Sequence, residues 1–234
     1  MKAKRSCCLF CLSVLLAAGT SLAGAPAKQE VLLSAEGLFH SREWLPLREP
    51  RFERGYPWAL KEGFLVNTAP EGTPYEQVRR MEKGMGLSIY GLKEPLPEQY
   101  EVSGVFRVDQ AAAAGFVLNS GLRGDALADH YLVLLYHGGI NLWKYTYTGE
   151  GRDHGVYMKL GWLSRPLKSD TDYNLKITTR RNTRPERGLG YELSVWLDGE
   201  HVLGVTDAAP LPPGVLGIWL GEGYAGVRQV TIRK

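Results

Sequence analysis

His130-Tyr-Leu-Val-Leu-Leu-Tyr136 is followed by His-Gly-Gly and then by Ile140-Asn-Leu-Trp-Lys-Tyr-Thr-Tyr147. Two runs rich in apolar, β-branched and aromatic residues, parted by a glycine pair, form the pattern of a β-hairpin. Gly138 and Gly139 both tolerate the positive φ that a tight turn demands, so the turn is expected on them. Successive residues of a strand face opposite ways. Ile140 and Leu142 therefore supply one apolar parity for a core, and Asn141, Trp143, Tyr145 and Tyr147 share the other face.

Outward from this hairpin the same alternation recurs. Tyr100 to Val108 places Tyr100, Val102, Phe106 and Val108 on one side and Glu101, Ser103 and Arg107 on the other. The alanines before Gly115 read as a hairpin loop leading into Gly115–Leu118. Tyr191–Leu197 returns through Asp198-Gly199, a type I′ turn signal, into His201–Val205. Tyr173–Thr178, Gly214–Leu220 and Val227–Ile232 complete the set. Trp58 to Asn67 reads as one or two short strands around Gly63, and Pro70 to Lys83 as loop with one helical turn. Strands about ten residues apart with turn chemistry between them predict an all-β, two-sheet antiparallel sandwich, with helix below about one tenth.

The first 27 residues have a different character. Lys2, Lys4 and Arg5 precede an apolar run from Cys7 to Ala18, and small residues follow to Ala27. That is the layout of a secretory signal peptide, and the run is too short to span a bilayer. Cleavage is expected after Ala27 or Ala23. All three cysteines, Cys7, Cys8 and Cys11, lie in this segment, so the mature chain is expected to carry no disulfide and no thiolate chemistry. The full chain has 28 Lys and Arg against 25 Asp and Glu. Three of the basic residues belong to the signal, so the mature chain is charge-balanced, which argues against nucleic acid as a partner. No linker or composition break divides 28–234, and it is expected to be a single monomeric domain with 28–83 as a less regular portion. Localisation is expected to be periplasmic or extracellular.

The order of the motifs carries a resemblance. Tyr100-Glu-Val-x-x-x-Phe-Arg-Val108, Ala114-Gly-Phe-Val-Leu118, His130-Tyr-Leu-Val-Leu134 and Gly139-Ile-Asn-Leu-Trp-Lys144 come first. Tyr173-Asn-Leu-Lys-Ile177, Val195-Trp-Leu-Asp-Gly199, Thr206-Asp207 and Pro213-Gly-Val-Leu-Gly-Ile-Trp219 follow. This resembles the laminin G-like and glycoside-hydrolase-16-like modules of the concanavalin A-like superfamily, and within it the 3-keto-disaccharide hydrolase domains. The resemblance covers Gly84 to Lys234, and weakly Trp44 to Asn67, and implies a jelly roll with carbohydrate across the concave sheet. Fold similarity alone does not assign an activity.

The catalytic pattern that the resemblance implies, Glu-x-Asp-x-x-Glu on one strand, is missing. Glycoside hydrolysis needs two carboxylates on one face. Glu94, Glu98 and Glu101 are interrupted by Pro95 and Pro97, and Asp198 is already accounted for by its turn. No Gly-x-Ser-x-Gly elbow occurs. His130 and His137 read as surface hydrogen-bonders, and Asp125 and Asp129 as part of a solvated loop. No catalytic set, metal site or cofactor is expected.

Aromatic placement is the strongest binding signal, because sugar CH faces stack on Trp and Tyr. Trp143, Tyr145 and Tyr147, with Trp162 in the following segment, are the expected carbohydrate-binding residues, against the alternative that the same face is core. Trp196 and Trp219 are expected to flank the core. Arg180, Arg181, Arg184 and Arg187 are candidates for anionic-ligand contacts in a loop between strands. The expected function is a non-catalytic, exported carbohydrate-binding module. The alternatives are a glycoside-processing enzyme of the 3-keto-disaccharide hydrolase type and an envelope scaffold domain.

Overall fold

Tyr100, Val102, Phe106 and Val108 are buried while Glu101, Ser103 and Arg107 are partly exposed, so the alternation in the sequence is the alternation of the strand. The computed structural model describes residues 29–52, 54–68, 76, 79, 85–109, 112–150, 154–183, 190–221 and 223–234. The expected signal segment, Arg184 and Arg187, and nearly all of the loop from Pro70 to Lys83 lie outside the described residues.

The chain opens with β1 (Glu30–Ser34) and α1 (Ala35–Phe39), whose N-cap Ser34 accepts a hydrogen bond from the Gly37 N–H. Next come β2 (Trp44–Leu47), β3 (Arg54–Gly55), β4 (Trp58–Lys61), β5 (Phe64–Asn67), β6 (Met85–Gly86) and β7 (Ser88–Leu92). The central run is β8 (Tyr100–Val108), β9 (Ala113–Ser120), β10 (Leu122–Arg123), β11 (Ala126–Leu127), β12 (His130–Tyr136), β13 (Gly139–Tyr147) and β14 (Gly155–Ser164). The last are β15 (Asp172–Asn182), β16 (Gly190–Leu197), β17 (Glu200–Asp207), β18 (Val215–Gly221) and β19 (Ala225–Arg233).

Two large antiparallel sheets result. One runs β17-β16-β15-β8-β19-β5-β4, with β1 also paired to β19. The other runs β14-β13-β12-β9-β18-β7-β2. Non-sequential neighbours such as β8-β19 and β9-β18 are the crossovers of a jelly roll. The main core fills the space between the sheets, with Phe106, Phe116, Leu142, Ile177, Leu193 and Ile218 fully buried. Phe106 and Phe116 meet edge to face across the two sheets, with centroids 5.0 Å apart. No described helix is long and apolar enough to cross a membrane.

One end of this interior is polar. Lys144 Nζ and the Tyr131 hydroxyl both donate to Asp207 Oδ2 at 2.7 Å, and the Ala209 N–H donates to Oδ1 at 3.0 Å. Lys144 also donates to the Ala209 carbonyl, and the Leu211 N–H to the Tyr131 hydroxyl. The cluster joins β12 and β13 of one sheet to the end of β17 in the other.

Local readings differ from the structure in three places. The first hairpin turns on His137-Gly138, and Gly139 is already paired with Tyr136. Gly139 is required there because its φ is 137° and a Cβ would lie 2.0 Å from the Leu163 carbonyl oxygen. β9 begins at Ala113, so much of the alanine run is strand rather than loop; small side chains suit its doubly covered position. β14 was not expected as a strand because a bulge opposite Leu142 and Trp143 breaks its alternation into two short runs. Asp198-Gly199, with φ of 51° and 85°, closes its hairpin as expected, and Glu62-Gly63 closes the β4–β5 hairpin.

Candidate functional site

The seven-stranded sheet is apolar on both faces. Its inner side belongs to the main core, while Ile89, Val117, Leu132, Leu134, Val215 and Trp219 form a second cluster on its outer side. Apolar area on an outward face must be covered or used. Part is covered by the segment Arg48–Phe52, which the β10–β11 hairpin holds in place. The Arg48 N–H donates to the Asp125 carbonyl at 2.8 Å, and the Leu127 N–H to the Arg48 carbonyl at 2.9 Å. A turn, Phe52 N–H to Glu49 carbonyl at 3.1 Å, then sends Phe52 into the cluster beside Leu127.

The uncovered part is a cleft of about 290 Å³. Leu132 and Leu134 of β12, Ala113 of β9 and Trp219 of β18 line it, together with Tyr136, Asn141 and Trp143 around the hairpin, Tyr157 of β14 and Arg51. Asn141 Oδ1 is buried and has no hydrogen-bond partner among the described residues. Unsatisfied buried acceptors are rare in folded proteins, and one in a cleft wall suits a ligand hydroxyl. Three larger clefts, of about 410, 420 and 320 Å³, lie elsewhere. The first is lined by Arg107, which already pairs with Asp172. The second is framed by Phe39, Pro46, Pro57 and Trp58 at the opposite edge of the sheet.

Glu49 braces the cleft from beneath. Arg51 donates to it twice, from Nε to Oε1 and from its backbone N–H to Oε2, both at 2.9 Å. The Tyr157 hydroxyl donates to Oε1 at 2.9 Å. Burial pushes the Glu49 carboxyl up, against the opposing pull of Arg51 and Tyr157. Burial, and then the neighbouring Glu49 carboxylate, push the Tyr157 hydroxyl well above its ordinary value. Glu49 is 1% exposed and its oxygens accept three hydrogen bonds from the protein, so its role is to hold Arg51 and Tyr157.

The expected aromatic stripe is split. Trp143 is half-buried in the cleft wall, edge to face with Tyr157 at 6.3 Å. Trp162 stands opposite Asn141 on β14 and is 63% exposed. Tyr145 departs from the expected ligand-facing position. Its ring is fully buried between His130 at 4.9 Å and Tyr157 at 4.6 Å, because Tyr157 of the unread strand β14 folds over it. Tyr147 lies in a separate cleft of about 200 Å³ with Arg48, Arg123 and His154, and the Arg123 guanidinium sits 4.4 Å above its ring. Its N–H donates to Asp129 Oδ1 at 2.7 Å, while Asp125 pairs with Arg48 at 3.4 Å.

Other expectations are corrected by long-range pairing. Arg180 and Arg181 lie on β15 rather than in a loop, and they pair with Glu192 at 2.5 Å and Glu98 at 3.0 Å. Trp219 is buried under the outer cleft, and Trp196 lies against Lys176 on the other sheet. His130 is buried rather than on the surface, with Nδ1 2.7 Å from the Ala128 carbonyl. Arg51, Tyr136 and Tyr157 went unread as site residues. Tyr157 left a trace in the alternation of β14, but Arg51 reaches the sheet from a turn far away in sequence.

Burial lowers the His130 pKa to about 4. A depressed histidine contributes stability that is present above the unfolded value of 6.5 and lost as pH falls toward 4, because only the unfolded chain takes up the proton. The loss is expected to total about 3 kcal/mol. An imidazole resonance of His130 that titrates near 6.5 would refute it. Glu49 acts in the opposite sense, so stability should be compared with a His130→Asn variant.

No family model matches the chain. It is 30% identical over 100 residues to the signal peptidase complex catalytic subunit SEC11 of Plasmodium falciparum, over 43% of this chain and 51% of that protein. The chain thus spans about half the length of that curated relative. Solved structures match along most of the chain. The carbohydrate binding module CBM66 from Bacillus subtilis is 13% identical over 82% of this chain and 96% of its own, with a TM-score of 0.57. The Bacillus licheniformis beta-glucanase is 11% identical over 88% and 98%, with a TM-score of 0.55. The potassium-bound carbohydrate recognition domain of Emp46p is 14% identical over 81% and 88%, with a TM-score of 0.53. At these identities the likeness speaks for architecture, and the chain shares the jelly-roll β-sandwich fold of these proteins.

Proposed function

We propose that this chain is an exported, non-catalytic carbohydrate-binding module that holds a sugar in the cleft on the outer face of its seven-stranded sheet. The observation that carries this reading is the pairing of a half-buried Trp143 ring with the unpartnered Asn141 Oδ1 in one cleft wall. An indole accepts the CH face of a pyranose, and a buried amide oxygen accepts a hydroxyl proton, which together fix a sugar's height and rotation. The names of the similar structures, a carbohydrate binding module and a carbohydrate recognition domain among them, point the same way. Glu49, the carboxylate next to the cleft, is engaged on both oxygens, which favours binding over hydrolysis.

A glycan panel screened by calorimetry tests the reading. Trp143→Ala is expected to weaken binding by about 0.5–1.5 kcal/mol, the range for aromatic pairs beyond burial. Asn141→Ala should also weaken it while retaining the fold, read from the denaturation midpoint. Affinity unchanged in both variants would overturn the site, and turnover of a glycoside or keto-glycoside would overturn the non-catalytic reading.

Export carries its own expected result. Sequencing the exported protein should find an N-terminus at Gly24 or Lys28 and a thiol titre of zero. Met1 on exported material, or a measurable thiol, would refute it.

A further inference from the structure

We infer that the saccharide held by this cleft is an acidic one, with a uronate carboxylate facing Lys159; the inference rests on the carbohydrate-binding reading above. Five side chains form a strip along the outer face of β13, β14 and the covering segment. The Arg51 guanidinium lies 5.1 Å from the Tyr157 ring, and Tyr157 meets Trp143 edge to face. Lys159 Nζ sits 4.6 Å over the Trp143 ring and 6.0 Å from Trp162. Cations thus flank the aromatic wall on both sides.

Arg51 is answered by Glu49, but no carboxylate among the described residues answers Lys159. None of the residues lining the cleft is Asp or Glu. Glu49 is buried and committed to Arg51 and Tyr157. Lys159 is exposed and makes no ion pair among the described residues. Two aromatic faces already restrain its ammonium, so less side-chain freedom is lost when an anion arrives.

Sugar geometry then selects the anion. A pyranose resting its CH face on Trp143 directs an equatorial C5 carboxylate outward in the plane of the ring, along the strip. Lys159 Nζ, 4.6 Å from the Trp143 ring, is the cation within reach of such a carboxylate, and a charge-assisted hydrogen bond from it is stronger than any that a neutral hydroxymethyl group can make. Asn141 Oδ1, an acceptor only, faces the hydroxyls and not the carboxylate.

The experiment is calorimetry of the mature chain at low salt with short oligouronides, of galacturonate and of mannuronate, and with the carboxyl-reduced neutral sugars made from each. At least one oligouronide is expected to bind about tenfold tighter than its reduced form, as one charge-assisted hydrogen bond of about 1.5 kcal/mol implies. Lys159→Gln should remove that difference and leave the affinity for the neutral form and the denaturation midpoint unchanged. Trp143→Ala should weaken both forms. Equal affinity for acidic and reduced sugars would overturn the acidic specificity and leave the carbohydrate-binding reading standing. An acidic preference that survives Lys159→Gln would overturn the assignment to this strip. A sulfated oligosaccharide bound in place of every uronide would overturn the carboxylate, and binding of none of these sugars or of the glycan panel would overturn both readings.

Discussion

Asp207→Ala is expected to lower the unfolding free energy by about 3–5 kcal/mol, the cost of leaving one partner of a buried ion pair unanswered. Asp207 is the only carboxylate contacting Lys144 among the described residues, and both side chains are about nine-tenths buried. The substitution strands the Lys144 ammonium, the Tyr131 hydroxyl and the Ala209 N–H at once, in the space where the two sheets meet. Burial works to raise the Asp207 carboxyl, but hydrogen bonds from Lys144, Tyr131 and Ala209 outweigh it and hold its pKa below the ordinary 3.8. For a lowered carboxylate the contribution is present above its unfolded value and lost as pH falls through the folded one. The deficit of Asp207→Ala against the parent should therefore shrink in strong acid. Adding Lys144→Met to Asp207→Ala should recover part of the loss, since an apolar pair of similar volume often replaces a buried ion pair at little cost. Chemical denaturation of the parent and both variants measures this, and a loss under about 1 kcal/mol, as for exposed pairs, would show that water reaches the cluster.

Tyr145→Ala is the second large effect. A fully buried aromatic truncated to alanine costs about 3–5 kcal/mol in lost transfer energy and residual cavity. Tyr145 meets that condition, with His130 on one side and Tyr157 on the other. Its removal also loosens Tyr157, whose hydroxyl is tied to Glu49, so the cleft wall should soften along with the fold. Trp143→Ala, at a half-buried position, should shift the denaturation midpoint far less. Equal midpoint losses for the two would mean that both rings are core and that the cleft is not a binding surface.

These two residues show where local reading stopped. Tyr145 shares its parity with Trp143, and the sequence places both on the same face of β13. Whether that face is open at each position depends on what lies across it. Tyr157 comes from an edge strand whose alternation a bulge interrupts, and Phe52 and Arg51 come from a turn carried by the β10–β11 hairpin. Lys144 is a comparable case. Read alone it is a polar residue on the parity of Leu142, and only the arrival of Asp207 from the opposite sheet makes its burial tolerable.

What the sequence by itself determined is the sandwich. Alternating parity in Tyr100–Val108 and Ile140–Tyr147, the Asp198-Gly199 turn and the Glu62-Gly63 turn are encoded in neighbouring residues, and backbone sterics translate them into strands and hairpins without distant help. What only the tertiary structure decided is the site. The cleft joins Arg51, Ala113, Asn141, Trp143, Tyr157 and Trp219, drawn from a covering turn, from the consecutive strands β13 and β14, and from β9 and β18, which lie farther off along the chain. Sheet order and the path of a covering segment are set by global burial, and global burial leaves no local period in a sequence.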